Sequence, residues 1–128
     1  MKAVKPEWGS LQAEFTPLSL SARLSCIMDE LKALQHEMDV KSSGALGDAP
    51  SSLCFMLRKI QRYVEWTVPE LLPDRAEDAE TLVDVNRFAA RLLIQKEAWN
   101  TSNITTEIEH QIQWISAIRN VALQNNCR

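Results

Sequence analysis

The chain has 128 residues, 45% hydrophobic and 24% charged, the composition of one globular domain rather than of a disordered segment or a pair of domains. Three glycines and five prolines fall below the usual share of about 12%, so the elements are few and long, which disfavours a many-stranded sandwich or barrel. Fourteen basic against seventeen acidic side chains give a net charge of −3, which argues against nonspecific wrapping of nucleic acid.

Residues 1–16 read as an N-terminal arm. Trp8, Leu11 and Phe15 stand at helical spacing, enough to dock on a body but too short for a stable isolated helix. Residues 17–128 form the expected bundle domain. Thr16-Pro17 offers a cap and a first-turn proline, and a helix is predicted from there to about Val40. Within it Leu20, Leu24, Ile27, Met28, Leu31, Leu34 and Met38 fall in a stripe about 120° wide, with Asp29, Lys32 and His36 on the wet side. Residues 42–52 hold two of the three glycines and read as a loop, with Ser51 or Ser52 capping the next helix. That second long helix is predicted to reach Trp66, where Pro69 and Pro73 break it over 67–73. Asp74 and Glu77 resemble a capping box for the third, which carries acids early and Arg87, Arg91 and Lys96 late, and ends near Trp99 before the caps at 100–103. The fourth presents Ile104, Ile108, Ile112, Ile115, Ile118 and Ala122 on one face. Four principal helices joined by short links predict an all-α, four-helix bundle-like domain with a docked N-terminal arm.

The second long helix is apolar on two sides. Leu53, Met56, Leu57, Ile60, Tyr63 and Val64 suffice to anchor it, yet Phe55, Lys59, Arg62 and Trp66 make a second stripe, with Arg58 beside it. Leaving Phe and Trp uncovered forfeits about 1.5–3 kcal/mol each. The arm or the 67–73 segment can supply the cover, with Lys59 and Arg62 reaching past it to water. A protein partner can also supply it, since aromatics and arginine concentrate at interface hot spots. Single-stranded nucleic acid, stacking bases on the aromatics beside the cations, is the alternative from another class. The third long helix raises the same question, because Leu82, Val83, Val85, Phe88, Ala89, Ala90, Leu92, Leu93 and Ile94 span about 240° of its wheel. Its polar strip is Glu80, Asp84, Arg87, Arg91 and Gln95.

Catalytic patterns are thin. Glu107 and His110 match one Glu-x-x-His, but His36 has Ala33 three positions before it and supplies no second. Glu77 to Glu80 is an Glu-x-x-Glu match whose acidity a helix N-terminus explains. No phosphate-loop, dinucleotide or nucleophile-elbow motif is present. The longest apolar run, Leu53 to Leu57, is five residues, and no apolar core of a secretory signal follows the N-terminal lysines. Cys26, Cys54 and Cys127 lack CxxC spacing, so neither a disulfide framework nor a zinc knuckle is expected; Cys26 and Cys54 read as small buried hydrophobes. The expectation is a non-catalytic cytoplasmic protein without metal or cofactor: an adaptor, inhibitor or regulatory subunit. It would bind a protein partner, or itself as a homodimer through the second and third long helices, using Phe55, Arg58, Lys59, Arg62 and Trp66.

Overall fold

A computed structural model describes residues 8–41, 51–94 and 104–126. Among these residues the chain is all helix: α1 (Trp8–Phe15), α2 (Leu20–Lys41), α3 (Ser51–Leu71), α4 (Ala76–Ile94) and α5 (Ile104–Asn126). The expected loop at 42–50 and the expected end of α4 near Trp99 lie outside the described residues.

Cross-helix bonds fix the directions. Lys59 meets Glu30 and Arg23 meets the Trp66 carbonyl, so α2 and α3 are antiparallel. Gln35 meets the Thr105 carbonyl while Arg119 meets Ser25, which does the same for α2 and α5. Arg75, just before α4, reaches the Ile118 carbonyl, and Arg91 pairs with Glu107, so α4 and α5 are antiparallel as well. Residues 72–75 join α3 to α4 as a hairpin of helices. The result is an up-down-up-down bundle of α2 to α5. α2 packs extensively on α5 and α3, and α3 on α4; α4 and α5 touch less than these pairs.

The core follows the predicted stripes. Leu24, Ile27, Met28, Leu31, Leu34 and Met38 of α2 are buried, as are Leu53, Leu57, Ile60, Tyr63 and Val64 of α3. Every member of the isoleucine seam of α5 is buried, and so is Ala122. Asp29, Lys32 and His36 are exposed.

Three boundaries differ from expectation. α2 begins after Ser19, not at Pro17: the Ser19 hydroxyl accepts from the Ala22 amide at 3.3 Å, and its carbonyl accepts from Arg23 at 2.9 Å. Ser19 is therefore the N-cap, and Thr16 to Leu18 turn the chain between α1 and α2. α3 continues past Trp66 to Leu71 with Pro69 inside it. Pro69 and Glu65 are both exposed, so water can replace the one missing amide donor, while fully buried Thr67 and Leu71 hold the last turns against the core. At α4 the N-cap is Arg75 rather than Asp74: its carbonyl accepts from Ala79 at 3.1 Å, and its guanidinium pairs with Asp78 at 2.7 Å. Asp78 and Glu77 still sit in the first turn with the sign the helix dipole favours.

Candidate functional site

The arm is α1, and it lies along the second stripe of α3. Trp8 stacks on Phe55 with ring centroids 5.9 Å apart. The Arg62 guanidinium sits 5.5 Å from the centre of the Trp8 ring, and the Lys59 ammonium 5.0 Å from that of Phe55. At the other end Phe15, 2% exposed, stacks on Tyr63 at 4.5 Å and meets Trp66 at 5.7 Å. Arg23 fastens the turn: its guanidinium donates to the carbonyls of Thr16, Leu18 and Trp66, and Glu70 lies 4.0 Å away.

The five stripe residues thus have different surroundings. Trp66 is half-buried and packs against the core. Lys59 is paired with Glu30 at 3.3 Å, and Arg62 with Glu65 at 3.0 Å. Phe55 stays 40% exposed despite Trp8, and Arg58 is exposed beside it. The cover that the aromatic pattern demands comes largely from the chain's own α1.

Packed under this end, the Tyr63 hydroxyl has its pKa pushed up to about 12, first by burial and then by the negative charge of Glu30, with Cys26 and Glu14 adding to it. Burial, followed by Asp29 and Glu30, also raises the Cys26 thiol, which keeps it protonated and poorly nucleophilic. Cys26 and Cys54 are free and half-buried.

A second surface lies on the opposite seam. Where α4 and α5 barely touch, a groove of about 340 Å³ opens between them. Phe88, 6% exposed, forms its base on α4, and the Arg91 guanidinium lies 5.3 Å above that ring. Arg91 crosses to Glu107 of α5 at 3.0 Å, while Arg87 pairs with Asp84 on its own helix at 3.1 Å. From α5 come Gln111 and Trp114. Gln111 is 6% exposed, yet its side-chain oxygen has no hydrogen-bond partner; Trp114 is 50% exposed and stacks on His110 at 6.5 Å.

The seam is open for a reason visible in residue type. Asp84, Arg87 and Arg91 belong to the polar strip of α4, so the seam is bridged there by the Arg91–Glu107 ion pair rather than by interdigitating apolar side chains. The residues were legible one at a time: 84, 87, 88 and 91 share one helical face, as do 107, 111 and 114. What marks them as one site is that α4 and α5 are neighbours. The remaining apolar excess of α4 is only partly covered: Val83, Ala90 and Leu93 are half-buried, and Ile94 is 79% exposed.

Among the described residues, no cluster of three or more His, Cys, Asp or Glu side chains could hold a metal. His36 and His110 are both exposed, and Glu77 and Glu80 face solvent at the start of α4. No helix among the described residues is long and apolar enough to cross a membrane. Among the described residues, fold and surface together define the class: an all-α antiparallel bundle with a docked N-terminal helix and an open seam between α4 and α5. Comparison with protein-family models, with curated proteins and with solved structures finds no match to this chain.

Proposed function

We propose that this chain is a non-catalytic binding protein, an adaptor, inhibitor or regulatory subunit, that takes a protein partner through the α4–α5 groove. The observation that carries the reading is the contrast between the two aromatic surfaces. The stripe on α3 has α1 lying on it, whereas the groove presents half-exposed Trp114 across from Arg87 and Arg91, with no element of the described chain over them. Half-exposed tryptophan beside arginine is the residue pairing that dominates interface energetics.

The same geometry weighs against the nucleic-acid alternative. Arg87, Arg91, Lys59 and Arg62 each already face a carboxylate, so phosphate contact would have to break an ion pair before gaining one. The free cysteines Cys26 and Cys54 suit a reducing cytoplasmic setting.

A photo-crosslinking side chain at exposed Ala117, one turn from Trp114, tests the reading in cells that express the protein, with a control at exposed Lys32 of α2. Protein adducts at 117, lost on Trp114→Ala and absent at 32, are expected. Equal adducts at both positions, or nuclease-sensitive adducts at 117, refute it.

A further inference from the structure

We infer that the occupant of the α4–α5 groove is a second copy of this chain, related by a twofold axis, with Trp114 of each copy entering the other's groove. The inference rests on the groove being a protein contact, and adds which protein.

Charge is the first argument. The rim carries two acids and two bases, Asp84, Arg87, Arg91 and Glu107, with Arg87 and Asp84 the most exposed of them at 76% and 60% of their side chains. A strongly acidic or basic partner would meet repulsion from half of this rim. A twofold copy meets none, because in such a contact residue i faces j while j faces i. An axis passing between Asp84 and Arg87 sets α4 antiparallel to its copy. Each Arg87 then faces the other copy's Asp84, and both ion pairs are exchanged rather than lost.

Trp114 is the second. It is 50% exposed, and in a twofold contact each indole lies against the other copy's seam, so both are covered at once.

Surface is the third. Ala117 and Val121 continue the Trp114 face of α5 at i+3 and i+7, both exposed, Val121 by 44%. They extend the apolar contact by two turns beyond the groove. The contact thus falls on α4 with α5, where the sequence had pointed to the α3 and α4 surfaces.

Sedimentation equilibrium of the full chain over roughly 1–200 µM tests it. The wild type is expected to shift from one to two chains across that range. Two charge-altered chains supply the specific control. Arg87→Glu with Arg91→Glu makes the rim wholly acidic, and Asp84→Arg with Glu107→Arg makes it wholly basic. Each alone is expected to associate about 100-fold more weakly than wild type, and an equimolar mixture to form mixed pairs. Circular dichroism confirms that both remain helical. A wild type that stays single throughout overturns the inference, as does self-association that neither charge alteration weakens. If the purified chain stays single while Ala117 still captures another protein in cells, the second copy is wrong and the groove reading stands. If Ala117 captures nothing, the reading itself has failed.

Discussion

Phe15→Ala probes how the arm is held on the α3 stripe. The ring is enclosed between Tyr63 and Trp66, with the Arg23 guanidinium 5.6 Å from its centre. Truncating a phenylalanine in a packed core costs about 3–5 kcal/mol, of which aromatic stacking beyond simple burial supplies about 0.5–1.5. A ceiling applies here. Phe15 is the single buried side chain of an eight-residue helix, and a helix that short has almost no stability of its own. Once the docking energy is spent, α1 leaves, and the four long helices feel no further loss. The expected result is a drop of about 2–4 kcal/mol in urea unfolding. Hydrogen exchange should show residues 9–18 losing protection while amides near Ile108, Ile112 and Ile115 remain the slowest. Trp66 fluorescence should move toward a more solvated value. A change below about 0.5 kcal/mol, with residues 9–18 still protected, would refute the reasoning: Phe15 would not be the anchor, and something else would cover the stripe.

The other expectations follow from single environments. Arg23→Met keeps the stem but removes three carbonyl contacts; denaturation should show a loss of about 2–4 kcal/mol, strongly non-additive with Phe15→Ala because both release the same segment. Trp66→Ala should cost about 2–3 kcal/mol and Phe55→Ala less than about 1, since only Trp66 packs against the core; equal losses in urea melts would contradict this difference. The raised Tyr63 pKa means that the unfolded chain releases its phenolic proton first, near pH 10, and the folded one only near 12. Stability from this group is therefore complete below about pH 10 and is lost as pH rises to about 12, and Tyr63→Phe should flatten that decline in pH-dependent melts. Ile108→Ala, at a fully buried position, should cost about 2–5 kcal/mol, whereas Trp114→Ala should cost less than about 1 while altering association; comparable losses of stability would make Trp114 core rather than contact.

Much of the fold is written locally. The 3.6-residue recurrence of Leu24 to Met38 and of Ile104 to Ile118 depends only on the order of residues along one helix, so each stripe and its burial could be read before any partner helix was known. The helix ends were less legible. Ser19 displaced Thr16 as the cap because Arg23 gathers the Thr16, Leu18 and Trp66 carbonyls, a contact spanning 43 positions. α3 ran through Pro69 because Thr67 and Leu71 had a core to bury against, which outweighs one missing amide bond.

The aromatic stripe shows where local reading stops. Phe55, Lys59, Arg62 and Trp66 announce by their spacing that something must lie over them, and nothing in the spacing names what. Trp8 and Phe15 stood at matching intervals, but only their approach in space shows which surface they occupy. The groove is the converse case. Arg87 and Arg91 read as part of a polar strip on one helix, and Trp114 stands on another; they become one site only because the chain closes its ring at α4 and α5. Periodicity along a helix reports which face avoids water, whereas a groove is a property of two helices and depends on the distance between them, which no single segment encodes.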